Sequence, residues 1–526
     1  IIGNCCFYWK LWLYYLKPLS KKISNLKRLI NMKKLLFASL FFSTAYVLNA
    51  TDLTWAGGDV CDNSGFDFSD MGNWSPTGYS PSSFDNVTIG NFTATTDGST
   101  DQYKINGFME VNDLRIENLV LPKSVRFFIY TASSGTPTVN GNIYVGNIDV
   151  IEGGGGEWRS PDIRGGTFGM DFVVKGSITI APTSDTTQNN SSMLTFGGTN
   201  TNGFFKSLSI GENAAVDAST GYKTAVYLDA SYAGATLELA GANPDGDTSN
   251  WAVIHGVVKM NNSADGSKYA ALIAGRNEEG GKFKDSYVSV GGLSGTGRIL
   301  TKLISDDSNA ATSHLTFTNA ERVNTSFTGS VRRSMPLYRD NVAFIMDGAG
   351  TQTLSLSGNT AGIVGVTVKN GTLYYNNESS SGKLAMEGGK FGAVNGSAEF
   401  DSAVWSGGKI SYANHEAFFG GTPEMIIING EFEKALDGQI AIDFEGLDAT
   451  ELIGYSFNLI SADSIKGFLD DANDDFVAEN LKNALADFAW NGGTLQVTFT
   501  QVPEPAALAA LIGAFALLFA IRRRRK

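Results

Sequence analysis

The chain has 526 residues, with 53 acidic against 40 basic side chains, a net charge of −13, 61 glycines and three cysteines. So acidic a balance repels phosphate backbones and argues against nucleic-acid binding. Cys5 and Cys6 sit in a leading stretch set apart below, so Cys61 has no intrachain disulfide partner, and the body must rest on a large core or a long hydrogen-bonded ladder.

Residues 1–31 begin with Ile and carry six cations among Trp, Tyr and Leu. They read as translation from upstream of the true start and not as part of the mature protein; a membrane-seeking leader is the alternative. Residues 32–50 have the order of a secretory signal peptide. Met32, Lys33 and Lys34 form a basic n-region, Leu35 to Phe42 an apolar h-region, and Ser43, Ala45 and Ala50 supply small residues. Cleavage is expected after Ala50 or Ala45. Residues 1–50 hold eight of the cations and no acids, and the last five residues hold five more, so the exported part keeps 27 cations against 53 acids, a net charge of −26.

Residues 51–110 are read as an N-terminal cap with the first strands. Trp55, Gly57, Gly58, Asn73, Trp74, Pro76, Pro81 and Asp85 resemble the opening segment common in exported proteins with a C-terminal sorting tail. Trp55 and Trp74 are expected to close the open end of the first rung, because an uncovered apolar rung would aggregate. A carbohydrate-stacking platform is the rival use for them.

Residues 111–423 are read as the body. Short apolar alternations recur here and on either side: Val87 and Ile89, Leu208 and Ile210, Leu237 and Leu239, Leu315 and Phe317, Leu354 and Leu356, and finally Leu495, Val497 and Phe499. Each puts its apolar side chains on one face of a strand. Glycine followed by one polar and one large apolar residue recurs at Gly297, Gly371, Gly382, Gly389, Gly408 and Gly493, marking frequent turns. A sandwich or barrel of this length is unusual, whereas a solenoid grows by adding rungs. The expected fold is therefore all-β, a right-handed parallel β-helix or β-solenoid with end caps, flanked by the signal peptide and a single C-terminal transmembrane helix. Gly348, Gly350, Leu354, Leu356, Gly358, Asn359, Val366, Val368, Gly371 and Leu373 resemble the autotransporter-associated β-strand repeat of surface-exposed β-helices. A weaker copy starts at Leu293.

No strong catalytic constellation is present. His255, His314 and His415 are far apart and outside any H-E-x-x-H motif, and read as surface or turn residues. The glycine strings at 153–156 and 165–169 lack the Lys and helix of a phosphate loop. The acidic run from Leu469 to Phe476 has Phe476 where a calcium loop needs a sharply turning Gly. Glu157, Arg159, Asp162 and Arg164 form the best charged cluster for a polysaccharide-active site. No cofactor or metal is expected, and the chain reads as non-enzymatic; a β-helix polysaccharide-degrading enzyme or a carbohydrate-binding module is the alternative.

Residues 424–500 are read as a C-terminal cap of strands plus one short helix, with Val477, Leu481, Leu485 and Phe488 at helical spacing after Asp474 or Asp475 as cap. Residues 501–526 close the chain with Val502, Pro503, Glu504 and Pro505, an uncharged run from Ala506 to Ile521, and Arg522, Arg523, Arg524, Arg525 and Lys526. The run is apolar all round, which suits lipid, and the cations would stay cytoplasmic. This order resembles the PEP-CTERM sorting signal of exported bacterial proteins. The resemblance implies recognition at Val502 to Pro505 by an inner-membrane exosortase after passage through the general secretion machinery, with Arg522 to Arg525 as a stop signal. Delivery to the cell surface or extracellular matrix would follow, with a structural or adhesive role and exopolysaccharide as a further partner.

Overall fold

A computed structural model describes the chain continuously from 381 to 502, most residues between 52 and 380, and Gly513. The fold is all-β. Its strands form a long, mainly parallel ladder of the kind a β-solenoid builds, each strand pairing with a strand one coil away.

One column of register carries the architecture. Phe172 pairs with Leu208, Leu208 with Ala252, and Ala252 with Val288. The column continues through Leu315, Phe344, Val366, Leu384, Ala403 and Phe432. All ten side chains are buried. Alternation explains why: in Ser207–Ile210 and Asn341–Met346 every second residue faces inward, so each coil covers the apolar row of its neighbour. Burying one large apolar side chain in this way stabilises by roughly 1.5–3 kcal/mol.

Coil length changes along the ladder. Around Asp171–Val174, Ile178–Ile180 and Ser191–Phe196 a coil has three strands, which pair with Ser207–Ile210, Thr224–Asp229 and Gly234–Leu239. Asn341–Met346 and Thr351–Leu356 pair with two, Gly362–Val368 and Thr372–Asn376. The step between register partners falls from 48 residues, Ile178 to Val226, to 18, Tyr375 to Ala393. Shorter coils leave less interior, and aromatic rings fill it: Phe317 stacks on Phe344, Phe344 meets Tyr375, and Tyr375 stacks on Phe400 at centroid distances of 6.0, 6.5 and 5.8 Å. A buried polar bracket also faces inward, where Gln352 accepts from the Leu293 N–H and the Thr325 hydroxyl, each at 2.8 Å.

Turns stack as well as strands. Gly371 has φ of 59°, and a Cβ there would lie 2.1 Å from the Gly348 oxygen and 2.4 Å from the Gly350 oxygen. Glycine at this position satisfies both the left-handed backbone and the close approach of the coil beneath. The Gly350 oxygen accepts from Thr372 N (2.9 Å) and the Gly371 oxygen from Lys390 N (2.7 Å), which continues the ladder through the corner.

At the C-terminal end the direction reverses. Ser456–Lys466 still pairs in parallel with Ile426–Lys434, but Thr494–Gln501 runs antiparallel to it, and Ala484–Asn491 antiparallel to Thr494–Gln501. Lys434 and Asp475 join the last coils to this cap through a buried ion pair, Nζ to Oδ1 2.5 Å, and the Leu469 N–H donates to the other Asp475 oxygen. The expected helix through Val477, Leu481, Leu485 and Phe488 is corrected: a four-residue helix, Ala472–Asp475, gives way to strands Phe476–Glu479 and Ala484–Asn491. Asn480 and Asn483 between them take positive φ, 51° and 61°, which no continuous right-handed helix allows. Asp471, and not Asp474 or Asp475, caps the short helix by accepting from Asn473 N.

At the other end, Asp52–Trp55 pairs antiparallel with Trp74–Ser75, setting Trp55 opposite Trp74, and parallel with Asn86–Ala94. The residues expected to form a signal peptide and, apart from Gly513, the apolar run from Ala506 lie outside the described residues. Among the described residues no helix is long and apolar enough to cross a membrane.

Candidate functional site

Of the residues singled out in the sequence, Ala50, Pro503, Glu504, Pro505 and Arg522 to Arg525 fall outside the described residues, as do Glu157 and Arg159. Val502 is described, exposed, and follows directly on Thr494–Gln501. Asp162–Arg164 forms a strand parallel to Arg126–Phe128. Trp251 and Trp405 are buried, their indole N–H groups donating to Ser286 Oγ (3.0 Å) and to the Gly408 oxygen (3.2 Å). Trp490 packs edge-on against Phe468 and Phe476. These three tryptophans therefore supply no exposed stacking platform.

The histidines are separate. His415 Nε2 lies 2.9 Å from the Phe444 oxygen at the head of the short helix His415–Phe419. His314 stacks on Tyr287, centroids 4.2 Å apart and planes 2° apart, with Asp285 at 3.5 Å. Burial lowers its pKa against the opposing pull of Asp285. His255 Nε2 lies 2.9 Å from Ser209 Oγ, one coil away. Glu212 reaches Ser209 at 3.5 Å and Lys175 at 2.5 Å. Ser209 and His255 have the contact that activates a nucleophile, but Glu212 approaches the hydroxyl instead of orienting the imidazole, so it does not complete a triad.

The densest polar cluster stands where the ladder approaches its cap. Parallel register stacks Lys390 on Lys409 and Ser411 on Asp443, with Glu479 next to Asp443. Lys390 Nζ lies between Asp443 Oδ2 (2.6 Å) and Glu445 Oε1 (2.8 Å). Ser411 donates to Glu445 (2.9 Å), and the Tyr374 hydroxyl lies 3.2 Å from Ser411 Oγ. Asn480 and the Glu445 N–H donate to Asp443 at 2.8 and 3.0 Å. Burial alone would raise the Asp443 carboxyl, but Lys390, Asn480 and that N–H together hold it below the usual range. Burial alone would lower Lys390, and the two carboxylates raise it instead. Tyr374 is raised, chiefly by burial. Both ions are thereby held charged and matched to each other, which makes a strut between coils; a general acid or base needs a proton it can exchange near neutral pH.

Sequence reasoning missed both clusters. Ser209 and His255 are 46 residues apart, and Lys390 and Glu445 are 55. The signal that finds them is strand register, since Ser209 and Asp443 occupy outward positions in strands whose inward positions are apolar. Among the described residues no group of three or more His, Cys, Asp or Glu is arranged to hold a metal ion. No protein-family model, curated protein or solved structure matches the chain.

Proposed function

We propose that the chain is an exported, non-enzymatic β-solenoid, wound right-handed as parallel crossovers almost always are. It is sorted by a PEP-CTERM and exosortase-type system through an inner-membrane intermediate to the cell surface or extracellular matrix, where it has a structural or adhesive role in the envelope or in exopolysaccharide. Secretion machinery, the exosortase and, through the tail, the membrane are its partners. It uses no cofactor and binds no nucleic acid. The observation that supports this reading best is the pairing of charges between coils, at Lys175 with Glu212 and at Lys390 with Asp443 and Glu445, on a ladder whose last strand runs into Val502 to Pro505. Outward rows of Ser, Thr and Asn on such a ladder suit hydration and weak, repeated glycan contact.

The test replaces Pro503, Glu504 and Pro505 by alanine and follows newly made protein by fractionation. The variant is expected to accumulate, unprocessed, in the inner membrane. Departure from that membrane at the parental rate and size would remove the sorting reading, and release of reducing ends from any sugar polymer by the purified protein would remove the non-enzymatic one.

A further inference from the structure

The strand Thr494–Gln501 leaves the cap between two neighbours. On one side Gly454 N donates to the Phe499 oxygen (2.8 Å) and Phe499 N to the Tyr455 oxygen (3.2 Å). On the other, Ala484 and Leu485 stand opposite Gln501 and Thr500. Inside, Leu495, Val497 and Phe499 are fully buried. Around the exit the pattern inverts: Ile453 is 36% exposed, Tyr455 63%, Leu485 49% and Val502 43%. Single exposed apolar residues are ordinary, but four around one exit form a rim.

The sequence says what meets that rim. The apolar run begins at Ala506, four residues beyond Val502. Extended chain covers at most about 3.6 Å per residue, so no more than about 14 Å separates Val502 from the start of the run. Pro503 and Pro505 stiffen the connection. The headgroup layer on one side of a bilayer is roughly 5–8 Å thick. A body tethered so closely to a membrane-spanning helix has its exit rim held at the headgroups.

We propose that Ile453, Tyr455, Leu485 and Val502 form a foot that rests on the bilayer interface while the tail spans the membrane. This inference rests on the reading of the tail as a membrane span. The occupant is a lipid surface: a tyrosine ring with a polar tip, flanked by short apolar side chains, is the composition that settles at the interface. Exposed Asp448 and Glu451 beside Ile453 direct the foot to zwitterionic headgroups. Four side chains are too little to anchor a body of this size once the tail is cut, so the foot orients the protein for processing and then lets go.

The experiment uses the mature chain from Thr51 to Lys526, with Cys61 replaced by serine so that the new thiol is the one labelled, carrying Tyr455→Cys, Leu485→Cys or, as a distant control, Ala218→Cys. A fluorophore is attached to the new thiol. Each chain is mixed with phosphatidylcholine vesicles containing a headgroup-spin-labelled lipid, floated, and read for quenching. The expected result is flotation of all three chains, with fluorescence lost at positions 455 and 485 and retained at 218. Flotation with no more quenching at 455 and 485 than at 218 overturns the foot and leaves the span standing. Failure to float overturns the span, and the foot with it. Shielding of 455 from aqueous iodide without quenching by the labelled lipid means that the tail itself covers the rim, which also overturns the proposal.

Discussion

Removing the Asp475 carboxylate tests how the cap is held. The Lys434 side chain is 6% exposed and that of Asp475 0%. Asp475→Ala leaves an ammonium buried without its counter-ion, a change that costs about 3–5 kcal/mol, and deprives the Leu469 N–H of its acceptor, about 1–3 kcal/mol more if the two were independent. They share one site and do not add, so about 4 kcal/mol is expected, equivalent to roughly a thousandfold in a local opening equilibrium. A ladder opens from its ends, so the loss should stay local. Hydrogen exchange should accelerate by about that factor in Phe476–Glu479 and Ala484–Asn491 and stay unchanged in Thr351–Leu356. Replacing both partners, Lys434→Met with Asp475→Leu, should recover most of the loss. Exchange in the cap within about threefold of the parent, less than 1 kcal/mol, would refute the reasoning, as would a double variant no better than the single one.

Phe344→Ala removes a fully buried ring that stacks on Phe317 and meets Tyr375 at a tilt. It should cost about 3–5 kcal/mol, seen as lost protection in Thr312–Phe317 and Gly362–Val368 on either side. Gly371→Ala forces a side chain onto a left-handed backbone and into two carbonyl oxygens; about 3 kcal/mol or more is expected, read from exchange of Thr372–Asn376. Asp443 has a folded pKa below its unfolded value, so its contribution is fully present above the ordinary carboxylate value of about 3.9 and is lost as pH falls through the lowered one. Acid titration of cap protection should show that loss in the parent and a flattened profile in Asp443→Asn.

Inward positions of the ladder were legible in the sequence because period-two alternation is a property of each strand alone. Leu208, Leu237, Leu315, Leu354 and Leu495 all proved buried. Register was not legible, because steps that vary from 48 to 18 residues give no fixed period from which to place one coil on the next. For that reason the contacts of His255 with Ser209 and of Lys390 with Asp443 could not be anticipated. The cap failed differently. Leu481, Leu485 and Phe488 have helical spacing, but Leu485 points to solvent while Phe476, outside that pattern, is buried. The local sign of a break is the pair Asn480 and Asn483, a residue type that accepts left-handed backbone and so overrides apolar spacing.

The reversal at the C-terminal end has a consequence for assembly. A stack of coils running one way is a template on which another copy could continue in the same sense, as fibrils do. Here the last strands turn back on themselves, and Asn473 reaches across to accept from Phe488 N (2.9 Å) and to donate to Asp487 (2.8 Å), occupying a site that an incoming backbone would use. Growth from that terminus is therefore quenched within each molecule, and assembly of these proteins has to use some other surface.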